Sequence, residues 1–288
     1  MPVVTVVLDK ENPEAFEASL GAIPDFQTVT ILSDRKAFEG EVPESVTQSQ
    51  LSNDLETLGV KADICVQKED NRRKRLLICD MDSTLIGQEC IDELADFAGV
   101  KDRVSAITER AMRGEIGFEG ALKERVSLLK GLDLSVLQTC FNERIRLNSG
   151  ARTLCQTMKA HGAKTVIVSG GFTFFTGKVS MACGFDADQA NELIENESKL
   201  TGTVGKPILG REAKLEALKD HSQGLGGTQN AIAIGDGAND LAMIQGAGLG
   251  VAFYAKPAVA AAAHCAINYG DLTTALYFQG YKESEFSH

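Results

Sequence analysis

Three short stretches carry the residues able to do chemistry: DMDST from Asp80, SGGFT from Ser169, and GDGAND from Gly235. Alternation along an extended chain sends Asp80 and Asp82 to one side and Met81 to the other. Two carboxylates so placed repel unless positive charge lies between or beside them. A hard divalent cation such as Mg²⁺ meets that need, because it takes oxygen ligands and keeps positions open for water and phosphate. Asp236 and Asp240 are candidates to complete its shell. Ser169, Gly170 and Gly171 offer a hydroxyl and backbone amides to an anion. Together these residue types describe a site for phosphate bridged by metal.

Each stretch directly succeeds a short apolar run: Leu76 to Cys79, Thr165 to Val168, and Ala231 to Ile234. Short apolar strands separated by helical segments predict a parallel sheet covered on both faces. In such sheets ligands bind beyond the carboxyl ends of the strands, so the three polar tips are expected to converge. Upstream, Val3 to Leu8, Thr28 to Leu32 and Ala62 to Gln67 read as strands, with helices at Asn12 to Leu20 and Gln50 to Leu58. That is a small α+β unit. The polar stretch KEDNRRKR, Lys68 to Arg75, separates it from the larger carboxyl-terminal part, giving domains at 1–70 and 76–288. Its run Arg72 to Arg75 reads as a solvated linker, with a basic docking element as the alternative. Between Gly87 and Gly150 lies a long, mostly helical insertion, consistent with a cap over about 88–150 that closes on the site and excludes water. Ala258 to Ala263 reads as a helix.

At 288 residues, with 43% hydrophobic and 24% charged content, the chain is long enough for one large domain and a small one. The formal net charge of −11 argues against a nucleic-acid or anionic-membrane partner. The seven cysteines are odd in number and scattered, with no CxxC pair, and read as reduced thiols of a cytoplasmic protein. The start, MPVVTVVLDK, lacks the pattern of a signal peptide, and no window approaches the ~18 apolar residues of a membrane span. The four histidines show no triad or zinc pattern; His161 and His221 read as surface loop residues and His264 as a helix residue.

DxDST after one apolar strand, SGG after a second, a downstream lysine, and GDGANDL after a third resemble the haloacid-dehalogenase-like phosphohydrolases. Within that family, DMDSTLIGQECIDELA, RGEIGFEGALKERVSLLKGL, SGGFTFF and AIGDGANDLAMI are similar to the phosphoserine phosphatases, over essentially all of Leu76 to Tyr269. The resemblance implies an α/β fold: a Rossmann-like parallel-sheet core with a helical cap insertion and a small ACT-like amino-terminal domain. It implies hydrolysis of phosphoserine, the last step of serine biosynthesis, through an aspartyl-phosphate. Asp80 is then the nucleophile, and Asp82 the general acid and later base. Mg²⁺ would be held by the Asp80 carboxylate, the Asp82 backbone carbonyl and Asp236. The same resemblance assigns phosphate oxygens to Ser169, Gly170 and Lys214, and a supporting role to Asn239 and Asp240. Glu89 and Arg125 match the family's amine and carboxylate binders, with Met112 as an apolar wall; the planar fork of arginine suits a carboxylate.

One departure from the family stands out. An acidic residue usually sits four positions before the lysine, where this chain has Gly210 and then Arg211, so Lys206 is the alternative to Lys214. A helix from Glu212 to Leu218, presenting its first turn to the site, favours Lys214. Two other functions stay open: a phosphatase of the same core acting on another small phosphomonoester, and a non-catalytic amino-acid sensor. The retained, mutually repelling acids speak against the sensor. Serine binding, homodimerisation and support of the core are the roles open to the amino-terminal unit.

Overall fold

The computed structural model describes residues 1–23 and 25–288. The amino-terminal part runs β1 (Pro2–Leu8), α1 (Pro13–Ala22), β2 (Gln27–Ser33), β3 (Ala37–Glu41), α2 (Gln48–Thr57) and β4 (Ala62–Lys68). Its four strands form an antiparallel sheet in the order β2-β3-β1-β4, the split βαββαβ arrangement. α1 starts where Asn12 accepts from the backbone N–H groups of Glu14 and Ala15, with Pro13 pre-set for the first turn. β1 is buried along nearly its whole length because both faces are covered. Val4, Val6 and Leu8 pack with Phe16, Leu51 and Leu55 of the two helices, while Val7, with Cys65, joins the large core of the rest of the chain. The short β3, sequence AFEGE, escaped the sequence reading because its acids mask the alternation.

The remainder begins with β5 (Leu76–Cys79) and passes through α3 (Cys90–Phe97), α4 (Lys101–Met112), α5 (Phe118–Ser127) and α6 (Ser135–Glu143), which lie in the expected cap segment. It continues with α7 (Ala151–Ala160), β6 (Lys164–Phe172), α8 (Thr173–Cys183), β7 (Ala187–Asn191), the antiparallel hairpin β8 (Leu193–Asn196) and β9 (Lys199–Val204), and α9 (Arg211–Ser222). The chain ends with β10 (Ala231–Gly235), α10 (Leu241–Gly246), β11 (Leu249–Phe253), α11 (Pro257–Ala260), β12 (Cys265–Ile267) and α12 (Thr274–Phe278). Six strands make one parallel sheet in the order β12-β11-β10-β5-β6-β7. Alternate residues of its central strands enter two different cores: Leu77, Cys79, Ile167, Ile232 and Ile234 on one face, Leu76, Ile78, Val166, Val168, Ala231 and Ala233 on the other. This is why those runs read as continuously apolar. β5 comes first in the chain of this sheet and is flanked by β6 on one side and β10 on the other. The strand order therefore reverses at β5, and a crevice opens beyond its carboxyl end.

Several local expectations are corrected. The alanine-rich helix stops at Ala260, and His264 lies at a bend beyond it, with Nδ1 accepting from Gly250 N at 3.0 Å. His221 is in α9 rather than in a loop, with Nε2 3.0 Å from Gln189 Nε2. His161, by contrast, is the surface loop residue expected: it is exposed at the turn just after α7, its ring edge-on against Tyr281. The basic run is not a solvated linker. Arg72 is 7% exposed and pairs with Glu39 and Glu69, and Lys74 Nζ donates to the carbonyls of Asn71 and Gln229 at 2.7 and 3.2 Å. Arg73 stacks over Tyr281 and bonds Glu285. These cations tie the connecting segment to β3, to the turn before β10 and to the carboxyl-terminal residues. All seven cysteines are buried and free, and among the described residues no helix is long and apolar enough to cross a membrane.

Candidate active site

The Asp80 backbone N–H donates to Ile234 O at 2.9 Å, continuing the ladder one residue past β5 and setting the side chain at the crevice. Met81 is fully buried in the core, as the alternation required. Asp236 comes directly after β10, and Ser169 sits within β6, its Oγ accepting from Gly171 N at 2.9 Å. Gly171 leaves room for the Asp82 carboxylate, since a Cβ there would stand 2.7 Å from Asp82 Oδ2 and force it to move. Asp82 Oδ1 in turn takes the N–H of Cys90 at 3.3 Å, at the positive start of α3.

Lys214 occupies the first turn of α9 and is 2% exposed. Its Nζ lies 2.7 Å from Asp80 Oδ2 and 2.6 Å from Asp240 Oδ1. Asp240, 0% exposed, also accepts from Gly237 N at 3.0 Å. Lys206, the alternative, is exposed. Carboxylate oxygens of Asp80, Asp236 and Asp240 all lie within 4.8 Å of one another, and Thr84 Oγ1 donates to Asp236 Oδ1 at 3.2 Å. The side chain of Asp82 stands outside this trio, against Gly171 and Cys90.

The electrostatics result from burial. Burial and then Asp240 push the Asp80 carboxyl well above the usual range, with Lys214 opposing. Burial and then Glu89 raise Asp82 to about 7, and burial and then Asp240 raise Asp236 to about 6. Burial works against the Lys214 ammonium, yet Asp240 and Asp80 outweigh it and hold its pKa above the ordinary lysine value. Four carboxylates around one ammonium leave an excess of negative charge, and every free donor is a hard oxygen. That set fits a divalent cation of the magnesium class.

The cap faces this cluster with a different chemistry. Glu89 accepts from Ser83 Oγ at 2.7 Å. Arg125, half-buried, makes only long contacts among the described residues, to Thr108 Oγ1 at 3.5 Å and Ala121 O at 3.4 Å, while Asp92, Glu89 and Asp82 act on its charge. Its fork is thus largely uncommitted. Met112 ends α4 and is 67% exposed, its Sδ 3.9 Å from Lys256 Nζ of the core. Asn239 is half-buried and lies beside Gly237. The sequence reading missed Phe118. Its ring lies over the backbone of both Gly170 and Gly210, where an added Cβ would come to 3.2 Å of it in each case. The departure at Gly210 thereby gains a reason: a side chain there would meet the cap. Phe118 stands seven positions before Arg125 on the same helix face, which is the signal that could have found it.

Known proteins share both the sequence pattern and the fold. A profile of haloacid dehalogenase-like hydrolases matches residues 77–245. A phosphoserine phosphatase of Archaeoglobus fulgidus is 45% identical over 220 residues, 75% of this chain and 63% of that one. The chain likewise spans 58% and 64% of the length of phosphoserine phosphatases from Streptomyces coelicolor and Haemophilus influenzae. A solved structure described as a probable phosphoserine phosphatase from Vibrio cholerae superposes with a TM-score of 0.80 at 33% identity, covering 98% of this chain and 88% of that one. A HAD family hydrolase from Salmonella enterica serovar Typhi gives 0.85 at 29% identity, covering 96% and 98%.

Proposed function

This chain belongs to the haloacid dehalogenase-like hydrolases, and from that premise we propose that it hydrolyses O-phospho-L-serine to serine and phosphate through an aspartyl-phosphate on Asp80. The observation that carries the reading is the buried Asp80–Lys214–Asp240 arrangement, with Asp236 beside it. Asp80 attacks phosphorus, and the phosphoryl oxygens are received by Lys214, Ser169 and the Gly170 backbone, where donors fixed in advance cost no reorganisation. Asp82 gives a proton to the departing seryl oxygen and later takes one from the hydrolytic water; a pKa of about 7 suits both duties near neutral pH. Mg²⁺ would be held by Asp80, the Asp82 carbonyl and Asp236, and when bound would neutralise phosphoryl charge and orient the phosphoryl group. Asn239 and Asp240 hold that group and the lysine in place.

Selection of the substrate falls to the cap. Glu89 receives the ammonium, Arg125 the carboxylate, and Met112 and Phe118 border the apolar part. The names carried by the relatives support this choice. A division at 1–70 and 76–288, with a cap over about 88–150 and an ACT-like amino-terminal unit, belongs to the same reading; the separate hydrophobic cluster of the amino-terminal sheet supports it. So does a cytoplasmic setting, supported by unpaired cysteines. Homodimerisation through the amino-terminal unit is supported by half-exposed Val29 and Ile31 on its edge strand β2.

Phosphate release from a panel of small phosphomonoesters, with Mg²⁺ or EDTA, tests the proposal. Metal-dependent preference for phosphoserine is expected, with Asp80→Asn inactive but folded. Arg125→Ala should lose phosphoserine and keep an aryl phosphate. Equal loss on both would remove Arg125 from substrate selection, and equal rates across the panel in the parent would point to another phosphomonoester.

A further inference from the structure

Asp63, in β4, is 2% exposed and takes no part in the chemistry above. Its Oδ1 accepts from Asn268 N at 2.7 Å and Tyr269 N at 3.2 Å, and its Oδ2 from Gly270 N at 2.8 Å. Three successive amides just past β12 thus close on one carboxylate supplied by the other sheet. Gly270 permits the approach, because a Cβ there would stand 3.0 Å from Asp63 Oδ2 and 2.2 Å from Thr274 Oγ1.

The next residue carries the connection onward. Asp271 Oδ2 accepts from Ser149 Oγ at 2.6 Å, and Leu272 N donates to Ser149 O at 3.1 Å. Ser149 lies where the chain returns from cap to core. There the outgoing and returning linkers are pinned together, by Asn148 N to Leu85 O at 2.9 Å, Asn148 Nδ2 to Thr84 O at 2.8 Å, and Gly87 N to Arg146 O at 3.2 Å. The outgoing linker reaches the site itself, since Thr84 bonds Asp236 and Ser83 bonds Glu89. A cavity of about 490 Å³ has Ser83, Gly87, Asn148, Ser149, Gly270 and Asp271 in its lining. Beside the linkers there is therefore open space rather than close packing, and these hydrogen bonds set their course.

We infer that Asp63 and Asp271 are positioning residues for the cap: the amino-terminal sheet fixes the 268–271 loop, the loop fixes the returning linker at Ser149, and docking of that sheet so sets how Glu89 and Arg125 stand over Asp80. The inference rests on the reading of Glu89 and Arg125 as substrate-binding residues. It gives the amino-terminal unit a part in the reaction without contact with substrate.

Hydrogen exchange on the full chain tests it. Ser149 is exposed, so Ser149→Ala keeps the fold. Exchange at the Gly87 and Asn148 amides should quicken by about tenfold while β6 and β10 exchange as in the parent. Asp63→Asn should loosen the same two amides from the far end. The double variant should be no faster than the faster single one, as for links of one chain. Both single variants should raise KM for phosphoserine by about tenfold with a smaller change in kcat, and Ser149→Thr, which keeps the hydroxyl, should restore it. Unchanged exchange at Gly87 and Asn148 in Ser149→Ala overturns the inference, as does equal loosening of β6 and β10. Because the exchange readout is independent of substrate, loosened linkers in a protein that ignores phosphoserine would overturn the substrate reading alone.

Discussion

Two buried cations in this protein each meet two carboxylates, and they do so in opposite ways. Arg72 sits against the amino-terminal sheet with Glu39, while its second partner, Glu69, is mostly in solvent, so one buried charge answers one buried charge. Thr5 Oγ1 adds a neutral contact at 3.2 Å. Lys214 meets Asp80 and Asp240, both buried, with Asp82 and Asp236 close by. There the negative charge exceeds what one ammonium can answer. Near-balance marks architecture; a retained imbalance, which costs stability, marks a place where further positive charge and a substrate are received.

The comparison can be broken from its larger side first. Lys214→Met should lower phosphate release by about 10²- to 10³-fold, since a pre-aimed donor to the phosphoryl group is lost. In EDTA it should also lower stability by roughly 3 kcal/mol, because Asp80 and Asp240 then face each other unanswered; urea unfolding measures this. Added Mg²⁺ should restore part of that stability, and no restoration would mean that the excess charge does not hold a cation. Arg72→Met should likewise cost roughly 3 kcal/mol, by stranding Glu39. Its kcat should stay within about twofold of the parent, as expected of a site remote from the reacting groups. A large fall in kcat would erase the distinction between the two cations.

The smallest effect sharpens a third case, Asp63, a buried acid answered by neutral amides alone. Burial, set against three N–H donors, raises its pKa from 3.8 to about 6. Asp9 adds repulsion. A raised folded pKa on an acid means that the fold holds the proton more tightly than the unfolded chain does. The contribution to stability is then fully present below 3.8 and lost as pH rises through about 6. Between pH 7 and pH 5 the parent should therefore gain about 1 kcal/mol relative to Asp63→Asn. Parallel unfolding curves at the two pH values would remove this titration.

Much of the core was legible in advance. β5, β6 and β10 are apolar on both faces, so composition alone announces them, and the polar residues at each strand end marked the site. β3, β7 and β12 were not legible. They are short or polar and owe their strand form to the neighbours they pair with. The basic run misled for a related reason, since nothing local distinguishes a solvated arginine from one whose acid lies 33 residues away across a sheet.

Residue pattern and chain order were enough to dictate the parallel core, the placing of Asp80, Ser169 and Asp236 on or just after its neighbouring strands, and the helical insertion between Gly87 and Gly150, because these depend on period, strand ends and sequence position. The folded arrangement alone decided that Lys214 joins Asp80 to Asp240, that Phe118 covers Gly170 and Gly210, and that Asp63 holds the loop beside the cap linkers. Each of those pairs residues distant in the chain, whose meeting depends on the course of every strand between them rather than on any local preference.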